Sequence, residues 1–293
     1  MSTNFNGTGV AIVTPFNKAN NVDYPALEKL LKHIINGGVD FIVAMGTTSE
    51  AVTLTELEKK EVLAHVIRIV NNQIPIVLGI GGNSTHKVIE TLNTTDLDNI
   101  AGILSVAPYY NKPNQRGLYE HFSAIAKNCP KPIILYNVPG RTSSNISAET
   151  TIKLAEEFSN IVAIKEASGD FIQIMEIIKN KPPLFSVLSG DDALTLPMIS
   201  IGSKGVISVV ANAFPREFSN MVRFALHGEY IKANKIHYSL LDIINQLFAD
   251  GNPAGIKNAL SILNITEDYL RLPLVKVNQH VADKLIQLIK QPN

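Results

Sequence analysis

Cysteine is almost missing from this chain: Cys129 is the only one in 293 residues. No intrachain disulfide can form, and no cysteine cage for zinc can be assembled, which is the usage of a protein kept in a reducing cytoplasm. Charge of either sign is not in excess, because 26 Lys+Arg stand against 26 Asp+Glu. A balanced surface supplies no field to attract nucleic acid or an anionic membrane, so neither is expected as a partner. No apolar stretch reaches the ~18 residues that a membrane-spanning helix needs. Residues 1–5 carry neither the basic region nor the apolar run of a secretory signal. Low-complexity tracts and blocks of like charge are absent as well. His33, His65, His86, His121, His227, His237 and His280 never fall at metal-ligand spacing, which argues for no metal site. The expectation left is a soluble, intracellular globular protein that acts on small molecules.

What is present is an apolar fraction of 45%, ample for a core, arranged in a repeating pattern. Eight short, β-branched apolar runs occur at residues 9–14, 41–45, 76–80, 102–107, 132–136, 161–165, 185–188 and 205–210. Their starts lie roughly 20–35 residues apart, room for one strand and one crossover helix per unit. The runs are apolar throughout rather than alternating, as in a parallel sheet covered on both faces. Between them lie amphipathic patterns. Leu27, Leu30, Leu31, Ile34 and Ile35 make one stripe before Gly37-Gly38, and Thr55 with Glu58 matches a capping box ahead of Val62, Leu63, Val66, Ile67 and Val70. Ser147 reads as a helix cap. Eight β/α units are the number that closes a TIM barrel, and a doubly wound open sheet is the rival. The predicted fold is therefore an α/β class (β/α)8 barrel over residues 1–228. Residues 229–293 are predicted to form a C-terminal helical appendage, with Asn252-Pro253 as a cap and first helical position.

Active sites of such barrels lie where the strands end at their C-termini. The residues there are rich in hydroxyls and include one arginine and one lysine, a set suited to a carbonyl and carboxylates. Lys165 ends its run, and alternation puts it on the face of Ile161 and Ala163. An amine of ordinary pKa ~10.4 is only ~0.1% neutral near physiological pH, but desolvation among apolar walls lowers that pKa and frees a nucleophile. The same lysine alone is equally a strand-end side chain reaching for water, or paired with Glu166 or Asp170. Tyr110 and Tyr136 follow separate runs, with Thr47 and Thr48 on a third; such hydroxyls can relay a proton, or simply line a rim. Arg141 offers a fork of donors to a carboxylate, or to a neighbouring loop. Gly79, Gly81 and Gly82 do not make a dinucleotide fingerprint, so close backbone approach is the simpler reading. Asp191-Asp192 reads as a helix cap.

Together these residues resemble the dihydrodipicolinate synthase / N-acetylneuraminate lyase family of class I aldolases, in order from residue 9 to about 257. Gly46-Thr47-Thr48-Ser49-Glu50 is similar to the family's Gly-Thr-Thr-Gly-Glu segment. The resemblance implies Thr47 in a proton relay and Thr48 on the keto-acid carboxylate. It implies Tyr136 as proton donor and acceptor, Lys165 as the Schiff-base lysine, and Gly190 and Ile207 as backbone contacts to pyruvate. Tyr110 matches the relay tyrosine that reaches a neighbouring subunit's site, which implies a homotetramer. Tyr136 to Thr142, Tyr-Asn-Val-Pro-Gly-Arg-Thr, is similar to the synthase branch, where Arg141 would hold the carboxylate of aspartate semialdehyde.

The implied reaction condenses pyruvate with L-aspartate 4-semialdehyde to 4-hydroxy-tetrahydrodipicolinate, toward diaminopimelate and lysine, with no organic cofactor and no metal. The alternatives are cleavage of N-acetylneuraminate or of a 2-keto-3-deoxy sugar acid by the same lysine, or a barrel kept as a binding module. Three departures stand out. Ser49 replaces a glycine, which requires the turn there to avoid positive φ or bear strain. Gly255 replaces the second proline of an Asn-Pro-x-Pro-x-Lys segment. Ala51, Val52 and Lys87 alter a cavity where some members bind lysine, although Asn83 and Tyr109 match. A cation facing a cation implies weak or absent inhibition by lysine.

Overall fold

The computed structural model describes residues 5–290; residues 1–4, read above for a signal, and residues 291–293 lie outside the described part. Each apolar run becomes a strand, and each is followed by helix. β1 (Gly7–Ala11) leads through α1 (Tyr24–Asn36) to β2 (Phe41–Ala44), then α2 (Glu56–Val70), β3 (Ile76–Gly79), α3 (Thr85–Thr94), β4 (Gly102–Val106) and α4 (Gln115–Asn128). The chain continues with β5 (Ile133–Asn137), the single turn α5 (Pro139–Thr142), α6 (Ala148–Glu157), β6 (Ile161–Glu166) and α7 (Phe171–Asn180). β7 (Ser186–Ser189), α8 (Thr195–Ser200), β8 (Gly205–Ser208) and α9 (Pro215–Leu226) complete the ring. The strands pair in parallel in sequence order, and β8 returns to β1 with Gly7 opposite Gly205. This is the expected TIM barrel, and parallel closure brings all eight strand C-termini to one rim.

Local chemistry sets the boundaries. The Thr55 hydroxyl accepts from the Glu58 N–H while the Glu58 carboxylate accepts from the Thr55 N–H, so the capping box forms as read. Asp23, Ser84, Asn114, Ser147 and Asp170 cap α1, α3, α4, α6 and α7 with their side chains. β1 stops short of the expected residue 14 because the Val13 N–H is taken by the Asn212 side chain, 3.2 Å away, instead of a neighbouring strand. β8 stops at Ser208 because one oxygen of Asp192 accepts from both Val209 (3.0 Å) and Val210 (2.9 Å). Of the expected pair, Asp191 accepts from the Ala193 and Leu194 N–H groups (2.9 and 3.2 Å) ahead of α8, whereas Asp192 anchors the end of β8, and burial pushes its carboxyl up to about 6.

Two apolar layers hold the ring. The larger lies between the strands and helices; the smaller fills the barrel and includes Ala11, Phe41, Val43, Val77, Leu104, Ile134, Ala163, Leu188 and Ile207. Phe5 plugs the bottom, its ring edge-on to Phe41 at 5.6 Å between centroids. After α9, the helices α10 (Tyr230–Phe248), α11 (Ala254–Ile262) and α12 (Gln279–Lys290) extend the outer layer with Leu240, Ile244, Leu247, Ile256, Leu260 and Leu285.

One tie between this C-terminal region and the barrel is polar. Arg271 donates to the Thr53 carbonyl (3.0 Å) and to Glu58 (2.8 Å), the carboxylate already engaged in the α2 cap. The hydrogen bonds from Arg271 are the main cause holding Glu58 down at about 2. Its folded pKa is depressed below the ordinary 4.5, so this stabilisation is present above about 4.5 and is lost as the pH falls toward about 2. Glu58→Gln keeps the cap but loses the ion pair. It should cost about 1–2 kcal/mol at neutral pH, a gap that closes on acidification. Urea unfolding of both proteins at pH 6 and pH 3 measures this, and an unchanging gap would count against it.

Candidate active site

Lys165 is the penultimate residue of β6, with Ala163 below it in the barrel interior. Its expected neighbour Ile161 is not on the same face. Ile133 of β5 pairs with Ile161 but Ile134 pairs with Ala163, so Val162 is an extra residue in β6. This bulge puts Ile161 in the outer layer and packs Val162 against the inner one. The last three residues then regain alternation, with Ile164 outward and Lys165 inward.

Inside, Lys165 is 5% exposed and its Nζ stands 4.3 Å from the centre of the Tyr136 ring. The two residues are register partners on adjacent strands. Among the described residues Lys165 forms no ion pair and no hydrogen bond. The pairings open to it from sequence are engaged elsewhere. Glu166 points the other way, accepting from Asn137 (3.1 Å), Gln173 (3.0 Å) and the Ser168 N–H (2.8 Å), with burial raising its pKa. Asp170 caps α7 through the N–H groups of Ile172 and Gln173. Beside the amine stands the Tyr136 ring.

Gly190 follows β7 directly and donates its N–H to the Glu166 carbonyl at 2.7 Å. A β-carbon at this position would stand 3.1 Å from Cε of Lys165 and 2.7 Å from the Ala167 side chain, so only glycine lets β7 approach the lysine this closely. Ile207, buried in β8, closes the inner layer below the rim.

Thr47 and Thr48 lie in a 3₁₀ turn just beyond β2. Thr47 is exposed, whereas Thr48 is buried and its hydroxyl accepts from the Asn252 side chain at 3.1 Å. Ser49 sits within the turn with no positive φ; Glu50 after it takes the left-handed conformation at φ 54°. The serine therefore fits without strain, its hydroxyl bonding back to the Gly46 carbonyl at 2.7 Å. Arg141 is exposed in α5 and donates to the Asn252 carbonyl at 3.3 Å, with no carboxylate partner among the described residues.

Asn252 was expected to cap α11. Instead the cap position falls on Pro253 with no side-chain bond, and Asn252 spans Thr48 and Arg141. Its polarity beside Pro253 was visible in sequence; its partners, more than a hundred residues away, were not. Tyr110 stands apart from the others. It is 90% exposed beyond β4 at φ 73°, and none of the described residues of the single chain covers it.

Lys165, Tyr136 and Gly190 thus converge at one barrel mouth, above Ile207 in the inner layer, with Thr48, Asn252 and Arg141 linked on its edge. A closed (β/α)8 barrel presenting a buried lysine and hydroxyls at its catalytic rim places the chain among barrel enzymes. Comparison defines the particular group. Residues 4–292 match the dihydrodipicolinate synthetase family, and the chain belongs to it. The chain is 51% identical over 288 residues to a 4-hydroxy-tetrahydrodipicolinate synthase of Parabacteroides distasonis, covering 98% of this chain and 97% of that one. It is 48% identical over 287 residues to the protein of the same name from Flavobacterium psychrophilum, with 98% of both covered. The solved dihydrodipicolinate synthase of Aquifex aeolicus superposes with a TM-score of 0.94 at 43% identity, over 98% of each chain.

Proposed function

We propose that this enzyme condenses pyruvate with L-aspartate 4-semialdehyde, releasing water and forming 4-hydroxy-tetrahydrodipicolinate for diaminopimelate and lysine biosynthesis. The observation that carries the reading is Lys165, buried without a carboxylate and packed on Tyr136, in a chain of this family. The neutral amine attacks the ketone carbon of pyruvate, and loss of water leaves an imine whose protonated nitrogen is an electron sink. Removal of a methyl proton gives the enamine, whose carbon attacks the aldehyde while the aldehyde oxygen takes a proton. The amine of the second substrate then adds to the imine carbon and displaces Lys165, closing the ring. Tyr136 transfers protons at the imine; Thr47 and Tyr110 pass them toward water. Thr48, with the backbone near Gly190 and Ile207, receives the pyruvate end. The guanidinium of Arg141, which has no carboxylate partner among the described residues, meets the carboxylate of the semialdehyde.

The exposure of Tyr110 supports a neighbouring copy that covers it, at least a dimer, and a homotetramer belongs to the same family reading. A cytoplasmic setting suits a buried thiol, Cys129, that remains free. The test is a steady-state assay of aspartate semialdehyde against N-acetylneuraminate, each with wild type and Arg141→Ala. Turnover of the semialdehyde alone is expected, with kcat/KM reduced about a hundredfold or more in the variant by loss of a charged, two-point contact. Turnover of N-acetylneuraminate instead would reassign the substrate. L-lysine titrated into the same assay should inhibit weakly or not at all.

A further inference from the structure

Behind the threonine turn lies a pair of charges that the reaction does not use. Glu50 closes that turn and Lys257 lies in α11; their side chains form an ion pair, and both are 0% exposed. The Lys257 ammonium also donates to the Tyr269 carbonyl at 2.9 Å and stands 4.1 Å from the centre of the Phe16 ring. The other Glu50 oxygen accepts from the backbone N–H of Arg271 at 3.1 Å, and the Arg271 guanidinium lies on the same Phe16 ring at 4.5 Å. Burial pulls Lys257 down to about 8, against the opposing pull of Glu50.

Such a pair is a poor source of net stability. Two charges taken wholly out of water lose most of what their attraction returns, and apolar side chains of like volume often serve as well. What the pair does supply is a single geometry for the backbone it holds. Glu50 is a non-glycine residue in the left-handed region, a conformation that persists only when surrounding contacts determine it. Its N–H bonds to the Thr47 carbonyl at 3.2 Å, so holding Glu50 holds the turn that presents Thr47 and Thr48. Lys257, within α11, lies on the same segment as Asn252, which stands just ahead of that helix and whose side chain meets the Thr48 hydroxyl. The turn is therefore gripped twice by the same C-terminal segment, once at a hydroxyl on the site and once at a buried carboxylate behind it.

We propose that Lys257 is a positioning residue for pyruvate capture: through Glu50 it sets the Thr47–Ser49 turn, and with it the Thr48 hydroxyl that receives the substrate carboxylate. The inference rests on the aldolase reading above and adds a residue that touches neither substrate. It is tested with Lys257→Met and with the double variant Glu50→Gln/Lys257→Met. The readouts are thermal unfolding and the pyruvate concentration that half-saturates borohydride trapping at Lys165. Lys257→Met leaves a carboxylate buried without its cation, so it should melt lower and need about ten- to a hundredfold more pyruvate. The double variant has no buried charge to strand. It should regain melting temperature while still needing the higher pyruvate concentration. Recovery of both properties together means the pair serves only stability and overturns the proposal. So does a folded Lys257→Met protein with unchanged pyruvate saturation. Should Lys257→Met not fold, the double variant decides by the same criterion. A wild-type chain that forms no pyruvate adduct at all removes the aldolase reading, and the inference falls with it; the distinction lies in which protein fails to be trapped.

Discussion

Lys165→Arg should form no pyruvate adduct under borohydride and should lose turnover by at least about a thousandfold. The substitution keeps the positive charge and much of the side-chain length, but a guanidinium does not give up its proton in a protein and cannot attack a ketone. The proposed role rests on where the wild-type lysine stands. It lies at the barrel mouth, with the Tyr136 ring 4.3 Å from Nζ. No carboxylate pairs with it among the described residues, since Glu166 is bound to Asn137 and Gln173 behind the sheet. Mass spectrometry of digested protein should locate the reduced pyruvate on the peptide containing Lys165. Activity within about tenfold of wild type in the arginine variant would sink the Schiff-base mechanism. A label on another lysine would move it elsewhere.

Gly205→Ala should remove about 3–5 kcal/mol of stability, a large share of the margin of an ordinary domain. Gly205 opens β8 at the seam where that strand meets β1, with φ +151°, a backbone conformation that side chains rarely adopt. A β-carbon there would lie 2.0 Å from the Gly7 carbonyl oxygen and 2.6 Å from its nitrogen. Both obstacles are backbone, so no rotamer change relieves them; the strands must part where the barrel closes. Soluble yield and the urea midpoint measure the effect. A loss under about 1 kcal/mol would mean that the seam is looser than its geometry indicates.

The two substitutions differ in how visible their reasons are in the chain itself. Lys165 stands out because a lysine at the end of an apolar run on the sixth of eight β/α units has a defined place in a barrel. Nothing local marks Gly205, since its constraint comes from Gly7, nearly two hundred residues away. The same division runs through the site. Thr55 with Glu58, and Ser147, are caps that neighbouring residues specify, and they form as read. Asn252 looked like a cap for the same local reason and is not one: its amide nitrogen is turned to the Thr48 hydroxyl, and the cap position falls on Pro253 with no side-chain bond. Ser49 appeared to carry the cost of replacing a glycine, yet the left-handed residue is Glu50, held by Lys257 and Arg271 from the far end of the chain. Alternation placed Lys165 correctly inside the barrel but through the wrong partner, since the Val162 bulge turns Ile161 outward.

Periodicity, capping and strand-end chemistry are properties of residues close in sequence, and they determined the barrel, its helices and the lysine at its rim. Pairing across the closed ring depends on which distant side chains the fold makes neighbours. Only the tertiary structure decided that Asn252 would bridge Thr48 and Arg141, that Glu50 would be buried against Lys257, and that Tyr110 would be left facing outward. The reason is physical: a charge or a hydroxyl carries no record along the chain of the partner that will satisfy it once water is gone.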